Sequence, residues 1–240
     1  MTHSPSADRV RSLFDRIAPV YDDFNDWLSF GQHRIWKQMA VKWCGAKPGD
    51  TALDLCCGSG DLALRVADAV GREGTVYGVD FSASLLDIAR LRSLRSSPPP
   101  PIFWLEGDAL NLPFEDEKFD AATMGYGLRN LSDIPRGLQE LYRVLKPGAS
   151  AAILDFHRPR SPAMQAFQNW YLETWVVPTA ARFGLTEEYA YIRPSVERFP
   201  CGAEQVQLAG DAGFSHAVHY PISGGMMGVL VVTKSKSYPS

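Results

Sequence analysis

The stretch Leu53-Asp54-Leu55-Cys56-Cys57-Gly58-Ser59-Gly60-Asp61 constrains the fold of this chain more than any other. Thr51 to Cys56 has the length and apolar composition of a buried strand, and it runs into two closely spaced glycines and then into the helix-periodic residues Asp61 to Ala69. Glycines in that place permit a tight turn and let a ligand lie against the backbone. Such a unit can bury its strand only if more strands and helices follow. They do. Gly74 to Val79 reads as a strand, Ser82 to Leu94 as a helix opened by a Ser N-cap, and Ile102 to Glu106 and Phe119 to Met124 as strands. A helix from about Ser132 to Val144, a turn at Lys146-Pro147-Gly148 and a strand from Ala151 to Phe156 complete the run. This alternation predicts an α/β fold, a parallel sheet with helices on both faces.

Other segments stand outside the rhythm. Residues 7–45 read as two helices broken between Asn25 and Gly31, so residues 1–45 are expected to form a helical lid and 46–240 the main domain. Ser96 to Pro101 is too proline-rich for a helix and reads as an exposed polyproline connector. Residues 160 to about 195 form an aromatic-rich helical insertion. The tail gives a helix near Ala203 to Ala212 and two strands, Ser215 to Ile222 and Met227 to Thr233, with a hairpin signal at Ser223-Gly224-Gly225.

Composition excludes several classes. With 240 residues, 45% of them hydrophobic, the chain can bury a sizeable core, and a net charge of −3 provides no cationic field for nucleic acid. No apolar run reaches the roughly 18 residues of a membrane span. Met1 to Ser6 has neither an apolar nor an Arg-rich amphipathic character, so no targeting signal is expected and a cytoplasmic location is the default. The four cysteines, at 44, 56, 57 and 201, lack zinc or redox spacing, so reduced thiols and no metal are expected.

The glycine loop alone does not choose its ligand, because Gly58 to Ala63 also satisfies the dinucleotide pattern GxGxxG/A. Asp80 lies 20 positions after Gly60, where a carboxylate can take both hydroxyls of a ribose, and both NAD and S-adenosylmethionine carry one. Charge separates them. Asp54 and Asp61 flanking the loop would repel a pyrophosphate but favour the ammonium and sulfonium of S-adenosylmethionine. Asp108, after the third strand, is placed to accept from an adenine amino group. The expected cofactor set is Asp54, Gly58, Ser59, Gly60, Asp80, Phe81, Asp108, Ala109 and Gly125. For Asp61 itself, capping the helix is the plainer expectation.

These residues resemble class I methyltransferases, with Cys56 in place of the first glycine of D-x-G-x-G-x-G. Within that class the chain resembles the quinone-biosynthesis C-methyltransferases of ubiquinone and menaquinone. Tyr21 to Trp36 fits Y-D-x-M-N-x-x-[apolar]-S-x-x-x-H-x-x-W with Phe24 for Met, and Gly127-Leu128-Arg129-Asn130 matches their G-L-R-N run. Their R-V-L-K-P-G-G and E-x-S signature appears as Arg143 to Ala149 and Asp155-Phe156-His157. Leu154-Asp155-Phe156 and Ile222 to Gly228 look closest to the phylloquinone branch, which methylates a phytyl naphthoquinone. The resemblance implies a Rossmann-like, seven-stranded, mostly parallel sheet with an antiparallel C-terminal hairpin, S-adenosyl-L-methionine as cofactor, and a reduced prenylated naphthoquinone as substrate.

A quinone ring is electron-poor, so the nucleophile must be the reduced quinol, ionised at oxygen. The enzyme then aligns carbon, methyl and sulfur and stabilises a phenolate. Arg129 is the first candidate for that stabilisation, directly or through a water, and Asn130, Tyr21 and His33 join it as the catalytic set, with Asn25 as a further candidate. His33 and Trp36 equally fit plain packing at i and i+3, His157 is a base only as a minority reading, and His216 and His219 read as strand residues. Phe167, Trp170, Tyr171 and Trp175 form an aromatic face, either a core or homodimer contact or a wall for a prenyl tail that touches the bilayer. Arg90, Arg92 and Arg95 read as a solvated helix end. Competing functions are a menaquinone or ubiquinone precursor methyltransferase, an NAD-dependent oxidoreductase and a non-catalytic nucleotide-binding protein.

Overall fold

In a parallel sheet covered on both faces, the inner strands are buried and read as near-continuous apolar runs. The computed structural model, which describes residues 29, 31–95, 101–182, 186 and 190–236, has this arrangement. Helix α1 (Gln32–Cys44) leads into β1 (Thr51–Leu55), α2 (Asp61–Val70), β2 (Thr75–Asp80), α3 (Ala83–Ser93) and β3 (Ile102–Glu106). Then come β4 (Phe119–Gly125), a 3₁₀ turn (Leu128–Asn130), α4 (Ile134–Val144) and β5 (Leu145–Phe156). The insertion consists of α5 (Pro162–Tyr171), a π-helical turn (Leu172–Val176), α6 (Val177–Ala181) and α7 (Ile192–Arg198). It is followed by α8 (Gly202–Asp211), β6 (His216–Ile222) and β7 (Met227–Thr233).

The seven strands lie in the order β3-β2-β1-β4-β5-β7-β6. Pairings from β3 to β5 are parallel, and β7 runs antiparallel to both β5 and β6, as expected of the C-terminal hairpin. The order reverses between β1 and β4, so their carboxyl ends open a crevice. Period-two alternation divides the core. Leu53, Leu55, Phe119, Met124, Leu138 and Ile153 pack on one face, and Ala40, Ala52, Val66, Ala121, Ala152 and Val229 on the other. Asp54 and Thr123 fall on this second face, towards α1 and α2.

Ser82 caps α3 as expected, its Oγ accepting from the Leu85 amide at 3.2 Å. Two readings change. The turn foreseen at Lys146-Pro147-Gly148 lies inside β5, because a two-residue step on β4 (Phe119 to Ala121) faces a five-residue step on β5 (Leu145 to Ser150). The excursion stays tied to the chain after β7 through Gly148 N to Lys234 O at 3.0 Å and Lys234 N to Ala149 O at 3.0 Å. The aromatic insertion is not core either. Phe167, Trp170 and Trp175 are each about half exposed, while the polar Gln168 is buried and donates to the His157 carbonyl at 3.0 Å. A π-helical turn, Leu172–Val176, carries Trp175. Residues 1–28 and 30, with Tyr21, Asn25 and most of the Tyr21 to Trp36 signature, lie outside the described residues, as do 96–100 of the polyproline connector.

Phe119 is fully buried and meets Tyr77 and Phe114 edge-on, with Lys118 lying over the ring cluster. Phe119→Ala should therefore destabilise the protein by about 3–5 kcal/mol, read as a lower urea midpoint at unchanged slope.

Candidate active site

The glycine loop begins where β1 ends. Cys56 adopts φ 55, a left-handed conformation that side chains with a Cβ rarely take, so the strand stops at Leu55 rather than at Cys56. Gly60 follows at φ 83, and a Cβ there would lie 2.5 Å from the Trp104 ring. No other residue fits. Asp80, at the end of β2, holds the loop in place: its Oδ2 accepts from Gly58 N at 2.8 Å and its Oδ1 from Ser82 N at 2.9 Å. A carboxylate accepts about four hydrogen bonds, so holding the loop and contacting a ribose are chemically compatible. Ser59, in the loop, is buried and accepts from Arg92 Nη1 at 3.4 Å. Arg92 is half-buried, and burial lowers its pKa, so it belongs to the loop's support rather than to a solvated helix end; Arg90 pairs with Asp87 instead.

Asp54 has no exposed surface. Its Oδ1 accepts from the Thr123 hydroxyl at 2.7 Å, directly across the β1–β4 register, and its Oδ2 has no partner among the described residues. Burial pushes its pKa to about 7, although the Thr123 hydroxyl, the Ala63 amide and Lys37 all pull it down. An orphaned carboxylate oxygen of this kind calls for a cation or a donor, and the ammonium or sulfonium of S-adenosylmethionine supplies a cation. Asp61 does not cap α2 by a side-chain hydrogen bond. The N-cap is Gly60, and Asp61 instead forms ion pairs with Lys37 at 2.7 Å and Arg65 at 3.0 Å. Asp108 is exposed in the turn after β3, where its Oδ1 accepts from Leu110 N at 2.9 Å. Phe81 follows β2, Ala109 is buried beside Asp108, and Gly125 ends β4. The structure thus gathers the expected cofactor residues at the carboxyl edge of β1 to β4.

The second half of the site grows from the turn after β4. Tyr126 adopts φ 59, and its carbonyl accepts from both Arg129 Nη1 and Asn130 Nδ2 at 2.9 Å. Arg129 is buried rather than solvated, and its Nη1 lies 2.5 Å from Asp155 Oδ1 at the end of β5. Asp155 Oδ2 accepts from the Arg129 amide at 3.1 Å, and the guanidinium lies over the Phe156 ring at 4.9 Å. Arg129 Nε and Asn130 Oδ1 are buried without partners among the described residues. One donor and one acceptor therefore await a ligand such as a hydroxyl group. His33 is buried on α1 with Nδ1 2.7 Å from the Ser29 hydroxyl.

His157 is no base. Its Nδ1–H donates to the Gly225 carbonyl at 3.1 Å, its Nε2 accepts from Gly202 N at 3.1 Å, and burial lowers its pKa. His219, on β6 as expected, lies against it at 4.5 Å between ring centroids. Sequence reasoning missed Thr123, Lys37 and the pairing role of Asp155. Only Asp155 had a signal, since it holds the acid position of the E-x-S signature.

Asp54 gives a testable pH dependence. Its folded pKa of about 7 lies above the ordinary 3.8, so the carboxyl contributes stability below pH ~4 that is lost as the pH rises through ~7. Relative to Asp54→Asn, the wild type should lose stability between those pH values and stay level above them, measured by urea denaturation across the range.

The chain is similar to known proteins over nearly its whole length. The model of the ubiE/COQ5 methyltransferase family matches residues 1–234. The chain is 66% identical over 227 residues to the 2-phytyl-1,4-naphtoquinone methyltransferase of Trichormus variabilis, covering 95% of this chain and 99% of that one. It is 53% identical over 226 residues to the chloroplastic 2-phytyl-1,4-beta-naphthoquinone methyltransferase of Arabidopsis thaliana, covering 93% and 87%. Among solved structures, a SAM-dependent methyltransferase from Aquifex aeolicus superposes with a TM-score of 0.58 at 21% identity over 82% of this chain and 88% of that one, a likeness of fold.

Proposed function

Because the chain belongs to the ubiE/COQ5 methyltransferase family, we propose that it methylates a ring carbon of a demethylated prenyl-naphthoquinol, with the 2-phytyl compound as its substrate. The observation that carries this reading is the 66% identity, over nearly the whole of both chains, to a relative named for that substrate. Family membership sets aside the oxidoreductase and the non-catalytic binder.

S-adenosylmethionine supplies an electrophilic methyl group on sulfur. The ring carbon forms a bond to that methyl as the methyl–sulfur bond breaks, and loss of the ring proton restores the aromatic quinol. The chain's own residues have three tasks. Asp54, Asp80 and Asp108 hold the donor along the sheet edge, and the buried Asp54 oxygen favours its cationic end. Arg129, fixed by Asp155 and the Tyr126 carbonyl, offers its Nε–H to the quinol oxygen as negative charge develops, while Asn130 Oδ1 accepts from a hydroxyl there or from a bridging water. His33, buried on α1, shields the ring from water.

The exposed face of α5, the π turn and α6 supports a contact with the bilayer in which a phytyl-bearing quinol is dissolved. Ala163, Ala166, Phe167, Trp170, Trp175, Pro178 and Ala181 are exposed along it, flanked by the exposed Arg158, Arg160 and Arg182. Aromatic and small apolar residues between basic ends suit the headgroup boundary of an anionic membrane. No helix among the described residues is long and apolar enough to cross a membrane, so contact would be peripheral. Sedimentation with vesicles containing anionic lipid should carry the wild type down and leave a Trp170→Ser/Trp175→Ser variant in solution. A homodimer through this face would instead appear as a concentration-dependent mass that the same substitutions abolish.

Arg129→Ala should lower turnover by about a hundredfold, the loss expected for one donor at a developing oxyanion, with the affinity for S-adenosylmethionine little changed. In competition between pre-reduced demethylated naphthoquinone and benzoquinone precursors, the naphthoquinol should have the higher kcat/KM, and omitting the reductant should abolish transfer. Equal specificity constants, or a preference for the benzoquinol, would overturn the branch assignment and leave methyl transfer standing.

A further inference from the structure

Lys37 lies on α1, one residue after the Tyr21 to Trp36 signature, and its side chain is only 6% exposed. A lysine that deep in a protein is costly unless paired, and its Nζ lies 2.7 Å from Asp61 Oδ2. Asp61 already has another cation, because Arg65 Nε reaches its Oδ1 at 3.0 Å. Burial raises the pKa of Asp61, and Lys37 and Arg65 together outweigh this and hold it below the ordinary carboxylate range. One cation would satisfy one carboxylate. The field of Lys37 also reaches Asp54 on the other side of the glycine loop, where Oδ2 is buried and unpartnered. An acid lacking a cation and a lysine held by an acid with a second partner thus flank the same loop.

We propose that Lys37 Nζ is the seat of the α-carboxylate of the amino-acid arm of S-adenosylmethionine, a role that rests on the assignment of that compound as methyl donor. The arm is a zwitterion, and Asp54 and Lys37 complement its two ends. Its ammonium meets Asp54 Oδ2, and its carboxylate takes N–H groups of Lys37, whose ammonium carries three. Asp61 keeps Arg65. The exchange replaces one Lys37 ion pair by another and gives Asp54 the cation that it lacks, so no charge is left buried alone. It also makes the donor's amino-acid end a tie between α1 and the start of α2. Lysine suits this better than arginine, because a compact ammonium can turn between two carboxylates, whereas a guanidinium binds one in a fixed fork.

The test compares two ligands by calorimetric titration. S-adenosylhomocysteine carries the amino-acid arm, and 5′-methylthioadenosine has the same nucleoside and sulfur without it. Lys37→Met should weaken S-adenosylhomocysteine by about 10- to 100-fold, the usual worth of a charged hydrogen-bonded contact, and leave methylthioadenosine unchanged. Equal weakening of both ligands, or of neither, would overturn the proposal, since a lysine that only pins α1 to α2 has no means of telling the two apart. Asp61→Asn provides a second reading should the methionine variant fail to fold. Freeing Lys37 from its acid should strengthen S-adenosylhomocysteine relative to methylthioadenosine, and a weakened or unaltered ratio would overturn the assignment. If the wild type bound neither ligand, the donor assignment itself would fall, and the carboxylate seat with it.

Discussion

A single carboxylate buried in an apolar sheet is the constraint around which the glycine-loop end of the crevice is built. Asp54 stands between Leu53 and Leu55 on β1, an interior strand, with no exposed surface. Removing a charged carboxylate from water costs several kcal/mol, and one hydroxyl from Thr123 does not repay that. The group responds by holding its proton up to about pH 7. Everything close to it is arranged to make ionisation affordable when a cation arrives. The amino end of α2 points its amides and the positive end of its dipole towards the acid, the glycine loop leaves an approach open, and Lys37 contributes a nearby positive charge. An apolar residue at this position would let the sheet and α2 close on each other and would remove the reason for the loop.

The Arg129 end of the crevice follows a different logic. Here the charge is balanced within the protein, Arg129 against Asp155, with both side chains buried. Removing one partner of such a pair leaves the other uncompensated, so the pair acts as one object. Its value lies in geometry more than in net charge. Asp155 accepts from the side chain and the amide of Arg129, the Tyr126 carbonyl holds Nη1, and the Phe156 ring lies under the plane. A guanidinium held on so many sides points Nε in one direction. A paired cation attracts an anion less than a free one does, so stabilisation of a phenolate here would come from an aimed hydrogen bond.

The two ends also differ in how much of them could be read from the sequence. The glycine loop, the Ser82 cap and the acids at the carboxyl ends of β1, β2 and β3 are each set by a few adjacent residues, and short-range pattern is what periodicity and turn chemistry report. Arg129 and Asp155 are 26 positions apart, Asp54 and Thr123 are 69 apart, and Lys37 and Asp61 are 24 apart. Those contacts come from strand register and helix packing, which a single chain does not spell out. The insertion misled for a related reason. Its aromatic spacing is the same whether the stripe faces in or out, and what turns it outward is Gln168, whose amide reaches the His157 carbonyl at the end of β5. The Lys146-Pro147-Gly148 turn is a true local bend, but the chain after β7 bridges it with backbone hydrogen bonds at Gly148 and Ala149 and so keeps it inside the strand.

Backbone strain marks where the two ends meet. Four non-glycine residues have positive φ among the described residues, and two of them, Cys56 and Tyr126, lie just past the carboxyl ends of β1 and β4. Leu55 and Met124 are register partners, so the two strained residues are neighbours across the topological crevice. Each costs on the order of 1–3 kcal/mol and persists only where the surroundings fix it. The surroundings here do. A Cβ at Gly127 would come within 2.6 Å of the Cys56 Cβ, so the turn after β4 is fitted directly onto the turn after β1. Relaxing either turn would move its carboxyl-end loop: the glycine cradle at Cys56, the Arg129 and Asn130 anchor at Tyr126. Donor and acceptor must be held in line to within fractions of an ångström for methyl transfer. Two strained turns packed against each other serve that need, because neither can shift without displacing the other.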